Sequence, residues 1–269
     1  MKILILAHLD DIGAQRVAAR LRACLGRTAI EIIPAQSLAM APRIVYTLEG
    51  QGAGSGKSSS IAVQFAGGLE LDAREYHTVF NRLHVCDAPQ FSSAAQVDKD
   101  YANAELSALW VSWLFGLRSQ GVRVVNPPLR GAFQPGYSRL EWLRLAALAG
   151  MPVKKVHFPA SPANELPAQV RWLAIGEKIL PLPLVLPGSE NPWIETNGWL
   201  AGDDLLAPGI SKENILRLQA LSNCPLLEII LISNADGSRP ELVLSQVNPF
   251  PALLEDSGVE AVATFLGDG

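Results

Sequence analysis

Glu228, Gln246 and Asn248 are the residues of this 269-residue chain whose types and spacing could do chemistry together. Glu228 stands in an apolar run from Leu226 to Ser233, and Gln246 and Asn248 stand in a second run that Pro249 closes. Asn234, Asp236 and Gly237 between the runs are turn formers, so the pair reads as a β-hairpin. Counting outward from that turn brings Glu228 nearly opposite Gln246. One carboxylate and two amides in one place are oxygen ligands, and magnesium is a hard cation that takes such ligands, often between a carboxylate and substrate phosphates. Two readings stay open on these residues alone, a reduced cation site and an ordinary hairpin edge with an Asn-Pro exit turn.

Other stretches carry weaker chemical signals. Ala7-His8-Leu9-Asp10-Asp11 ends the first apolar run. His8 and Asp10 could reach one zinc ion with the neighbouring Asp as a base, or the two acids cap a helix and His8 marks a strand exit. The stretch resembles the Ala-His-Pro-Asp-Asp-Glu strand end of zinc-dependent N-deacetylases, with Leu9 in place of Pro and Ile12 in place of Glu. His77, His84 and His157 lie outside the context of that family's late His ligand, so a zinc hydrolase is the third functional reading of the chain. Arg82, directly after Asn81, is a candidate to bind a substrate carboxylate through a two-pronged pair; the alternative is a structural partner for a helix acid. Gly56-Lys57-Ser58 imitates a phosphate loop, but Gln51 stands where the first Gly is required and Ile61 to Phe65 reads as a strand where such a loop needs a helix. The stretch Gly50 to Ser60 reads instead as a flexible hairpin turn.

Composition narrows the partners. With 49% hydrophobic and 18% charged residues the chain can bury a sizeable core. A net charge of −4 leaves no basic footprint, which argues against nucleic acid and anionic membrane surfaces. No apolar run reaches the ~20 residues of a membrane span, and His8, Asp10 and Asp11 cut the N-terminal run before a signal core forms. Cys24, Cys86 and Cys224 are odd in number and match no metal or disulfide spacing, so free thiols and a cytoplasmic location are expected.

The elements that must position these residues follow from periodicity. Lys2 to Ala7 predicts a buried strand, Val17, Leu21 and Leu25 a helix stopping at Gly26, and Ala29 to Ile33 a second strand, which is a β-α-β start. Arg43 to Leu48, Ser60 to Phe65 and Thr78 to Val85 read as strands, Asp98 to Leu117 as a long helix, and Val122 to Val125 as a strand stopped by Asn126-Pro127-Pro128. Beyond that stop, Ser138 to Ala149 has helix-forming composition ended by Gly150, and Met151-Pro152-Val153 starts an extended segment.

Val124-Val125-Asn126-Pro127, then Tyr137-Ser138-Arg139-Leu140, then Leu145 to Val153 resembles the domain junction of the ATP-grasp superfamily, in the branch of the ribosomal-protein glutamate ligases and graspetide ligases. Val243-Leu-Ser-Gln-Val-Asn-Pro is similar to the last catalytic strand of that family, with Gln246 where a Glu belongs. The resemblance implies an α/β fold: a Rossmann-like pre-ATP-grasp domain at 1–128, then a truncated ATP-grasp-like α+β core at 129–269 that lacks most of the ATP-clamping lid. It implies that Arg139, Glu228, Gln246 and Asn248 face the cofactor, with Glu228 and Asn248 as a vestigial magnesium site. Arg139 stands where relatives carry a phosphate-binding Lys, and Arg also binds phosphate. The segment from Val156 to Val170 carries Pro159, Pro162 and Pro167 where the family has a second Lys and a Gly-rich loop, and prolines lack the N–H groups that cradle phosphate. The reading implied is a degenerate ATP-grasp-like protein, binding no cofactor or Mg-ATP only weakly. It would act as a non-catalytic binding or scaffolding partner in a peptide-modification or small-molecule biosynthetic pathway. Its partners would be a small-molecule or peptide substrate or a protein of that pathway, and a homodimer is compatible with it. The runner-up is an active ATP-dependent carboxylate-amine ligase.

Overall fold

A computed structural model describes residues 2–49, 58–65, 68, 70–72, 75–129, 133, 137–153, 169–175, 177–182, 205–207, 210–234, 241–253 and 255–268. In chain order the elements are β1 (Ile3–Ala7), α1 (Ile12–Leu25), β2 (Ile30–Pro34), α2 (Ala35–Ala39), β3 (Arg43–Glu49), β4 (Ser58–Gln64), β5 (Glu70–Asp72), β6 (Thr78–Asn81), α3 (Gln96–Ser119) and β7 (Arg123–Val125). They continue with α4 (Arg139–Leu148), β8 (Gln169–Ile175), β9 (Lys178–Leu182), β10 (Leu205–Ala207), β11 (Ile210–Ser211), α5 (Lys212–Ser222), β12 (Leu226–Asn234), β13 (Glu241–Asn248) and α6 (Asp256–Gly267). The chain divides into two compact units, Met1–Gly136 with Ala252–Gly269, and Tyr137–Pro251.

The first unit is built on a parallel sheet in the order β2-β1-β6-β7. All five residues of β1 are buried, as a strand with both faces covered requires. Asp11 caps α1 by accepting from the Ala14 N–H at 2.9 Å, and the helix stops at Gly26, whose φ of +90° favours glycine. The β-α-β start read from the sequence is therefore present. The expected strand over 78–85 is shorter and ends at Asn81; its last partners are Leu6 of β1, opposite Asn81, and Val125 of β7, opposite Phe80. Past that point the Asn81 side chain holds the turn, its Oδ1 accepting from the Leu83 N–H at 3.2 Å while Nδ2 donates to the Asn126 and Phe133 carbonyls. The long helix α3 buries Trp110 and Trp113, ring centroids 5.4 Å apart and edge-to-face, in one core with Val63, Phe65 and Leu71 around the antiparallel sheet β3-β4-β5.

The C-terminal helix rejoins this first unit, a return that the boundary expected at 128/129 did not include. Arg16 pairs with Asp256 and Arg20 with Glu260, tying α1 to α6, and the Arg123 guanidinium lies 4.1 Å from the Phe265 ring centre. Two opposite-charge pairs at an exposed seam stabilise little by themselves; the buried face of α6, with Val259, Val262 and Leu266, supplies the attachment.

The second unit is an antiparallel sheet in the order β13-β12-β8-β9. Leu227, Ile229, Leu231, Leu244 and Val247 form one face of the hairpin and pack with Trp142, Leu145, Ala146, Ile215 and Leu218 of α4 and α5. Both helices begin with reciprocal caps, Ser138 with Glu141 and Ser211 with Asn214. Asn214 also donates to the Ala149 carbonyl at 2.8 Å, locking the turn that leads to Met151.

Candidate functional site

The hairpin expected from the turn residues is β12 and β13, but its register differs from the outward count. From Asn234 opposite Glu241 to Leu231 opposite Leu244 the pairing is regular; it then shifts by one residue, so that Ile230 meets Gln246 and Glu228 meets Asn248. Unshifted, the register would have set Glu228 opposite Val247 and put the acid and the two amides on opposite faces. The bulge restores the phase, and Glu228, Gln246 and Asn248 share the face away from the core formed by Ile229, Leu231 and Val247.

On that face Glu228 is only 2% exposed, and Asn248 donates from Nδ2 to its Oε2 at 3.0 Å. The Asn248 Oδ1 turns the other way and accepts from the Phe250 N–H at 2.9 Å, forming the Asn-Pro-Phe exit turn. Gln246 is exposed. A magnesium ion needs anionic oxygen, and this set offers one carboxylate that already faces an amide N–H. One carboxylate is within the one or two with which proteins hold magnesium beside substrate phosphates, and the neutral Gln246 adds no charge to it. Among the described residues no group of three or more His, Cys, Asp or Glu side chains could hold a metal ion.

Arg139 is the first residue of α4 and is exposed, its position set by the Ser138 cap. The lid segment from 156 to 170 lies almost wholly outside the described residues, as do 50–57 of the Gly/Ser stretch.

Arg82 pairs with a helix acid, one of the two roles that the sequence left open. It is 3% exposed, and its Nε and Nη2 grip the two carboxylate oxygens of Asp11 at 2.6 and 3.1 Å. The edge of the guanidinium that would clasp a substrate carboxylate side-on is thus taken by the cap of α1. The His8 ring stacks on His84 with centroids 5.9 Å apart, and its Nε2 accepts from the His84 N–H at 3.3 Å. No local pattern foretells these pairings, since Asp11 and Arg82 are 71 residues apart and His8 and His84 are 76 apart.

Loss of ring hydration, followed by the Arg82 cation and His8, holds His84 below the ordinary imidazole value, with Asp11 opposing. A folded-state value below the unfolded one means that the unfolded chain binds the extra proton first. Stability from this group is therefore present above the ordinary value of 6.5 and falls as pH drops through and below it. His84 is exposed as a residue, so the effect is modest. We expect the unfolding midpoint of wild type to fall more between pH 7.5 and pH 5.5 than that of His84→Gln; parallel curves would contradict it. Burial pushes the Cys86 and Cys224 thiols up to about 12, which removes both from nucleophilic chemistry at neutral pH.

No family model matches the chain, and no curated protein matches it in sequence. Solved structures do match it along the full length. The macrocyclase MdnC from Microcystis aeruginosa, bound with precursor peptide MdnA, superposes with a TM-score of 0.66 at 13% identity, covering 100% of both chains. The macrocyclase MdnB from the same organism gives 0.63 at 15% identity, also covering 100% of both. The ATP-grasp ligase PsnB, complexed with precursor peptide PsnA2 and AMPPNP, gives 0.62 at 17% identity over 99% of this chain and 97% of that one. The likeness is one of fold, and it agrees with the resemblance carried by the junction and hairpin motifs.

Proposed function

From the ATP-grasp fold as premise, we propose that this protein is a degenerate member of the peptide-modifying branch that binds a peptide or a partner protein of its pathway without efficient ATP-dependent ligation. The carrying observation is the hairpin. Glu228 and Asn248 face each other across it, while the next position on the same face is the neutral, exposed Gln246. In this reading Glu228 and Asn248 are a vestigial magnesium site, and Arg139 remains at the start of α4 as a cation for phosphate. Solved relatives in fold are bound to precursor peptides, which supports a peptide as the partner. No described helix is long and apolar enough to cross a membrane. That fits a cytoplasmic protein, and the described cysteines are all free. A homodimer is a further expectation, open to a light-scattering mass.

Calorimetric titration with Mg-ATP tests the reading. We expect wild type to bind weaker than roughly 0.1 mM. Gln246→Glu returns one negative charge to the hairpin face and should raise magnesium affinity about tenfold, or ~1.4 kcal/mol. Unchanged magnesium affinity in the variant would remove the vestigial site from the account. The second reading, an active carboxylate-amine ligase, is favoured by the retained Glu228–Asn248 pair. Low-micromolar Mg-dependent ATP binding with product formation by wild type would establish it in place of the first.

A further inference from the structure

In an open parallel sheet, ligands sit outside the carboxyl ends of the strands where the strand order reverses. Here the chain leaves β1 toward β2 on one side and returns as β6 on the other, so that point lies between β1 and β6. Leu6 pairs with Asn81 at the strand ends, and the Arg82 N–H donates to the Leu6 carbonyl at 2.8 Å. Arg82 therefore follows directly on the carboxyl end of β6, buried beside the N-terminus of the 14-residue helix α1, where Asp11 is the cap.

A guanidinium has two edges that can each clasp a carboxylate. Asp11 occupies the edge formed by Nε and Nη2. The other edge is formed by Nη1 and the second N–H of Nη2. Nη1 is buried and has no hydrogen-bond partner among the described residues. A buried N–H without an acceptor is a costly arrangement unless something else supplies the acceptor. The Phe80 ring lies 5.7 Å from the guanidinium carbon and offers a face but no acceptor oxygen.

We propose that the carboxyl ends of β1 and β6 form a site for one small carboxylate, held end-on by Nη1 and Nη2 of Arg82 at the N-terminus of α1. The charges favour a monoanion. Asp11 already balances Arg82, so what attracts a second anion is the partial positive charge of the helix end and the unmet N–H groups. Asp10, next in the chain, works against a doubly charged phosphate. The stacked His8 and His84 belong to the same strand ends, and their exposed and half-buried rings can move aside more readily than the core. The carboxylate site lies within the first unit and does not depend on ATP binding.

Propionate and its neutral isostere propionamide, titrated into the full chain and followed by NMR, test it. We expect propionate to shift the Arg82 Nε–H and the His84 amide saturably, with a dissociation constant on the order of 1 mM. Propionamide should shift neither. Arg82→Lys keeps a cation for Asp11 but has no second edge, and should weaken propionate binding at least about tenfold while preserving the fold. The isostere comparison uses wild type only, so it decides the matter even if that variant does not fold. Equal shifts with propionamide, no saturation, undiminished binding by a folded Arg82→Lys, or tighter binding of inorganic phosphate than of propionate would each overturn the proposal.

Discussion

Replacing Asp11 by alanine should destabilise the first unit by about 3–5 kcal/mol, the loss found when one partner of a buried ion pair is removed and the other charge stays behind. Arg82 is buried and Asp11 is largely so, with side chains 4% and 11% exposed. Attraction between the charges is not the main source of the loss. A buried guanidinium without its carboxylate keeps the penalty of leaving water with no opposite charge to offset it. The missing cap of α1, normally about 1 kcal/mol, adds to it. A double variant, Asp11→Ala with Arg82→Met, should recover much of the stability because no charge remains buried. Urea unfolding followed by tryptophan fluorescence gives all three values. A loss under about 1 kcal/mol in Asp11→Ala would mean that the pair is effectively solvated.

Gly13→Ala should cost about 2–3 kcal/mol, opposite in sign to the usual effect of that exchange inside a helix. An added methyl group ordinarily stabilises a helix by up to about 1 kcal/mol through propensity. At position 13 the new Cβ would stand 2.3 Å from the Ala252 carbonyl oxygen and 3.1 Å from the Leu253 Cβ. Backbone cannot swing away as a flexible side chain can, and Leu253 already has a φ of +54°, so the approach of the returning chain to α1 has little slack. Gly267→Ala is the matched control, since its Cβ would meet only Leu25 at 3.9 Å. Equal effects from the two changes in the same unfolding assay would refute the close approach.

Elements with strong local period or punctuation are legible in the residues alone. The strand Ile3–Ala7 is apolar throughout, Val17 and Leu21 fall one turn apart before Gly26, and Trp110, Trp113, Leu114 and Leu117 repeat at helical spacing. The turn residues at 234–237 were enough to predict the pairing of the two apolar runs that flank them. These signals are local because a helix or strand imposes its period on neighbours a few residues apart. The remaining features arise only when distant segments meet. Which face Glu228, Gln246 and Asn248 occupy depends on a one-residue bulge that reverses the alternation, and nothing in the outward count from the turn marks it. Asp11 read as a cap or as part of a zinc site, and Arg82 as a substrate ligand or a structural partner; only the meeting of β1 and β6 showed that each completes the other. The return of α6 to α1 rests on the fit of Gly13 against the backbone at 252 and on a buried face shared by residues some 240 positions apart. Such contacts are chosen by packing and by the burial of charge, and those terms have no value until distant segments are brought together.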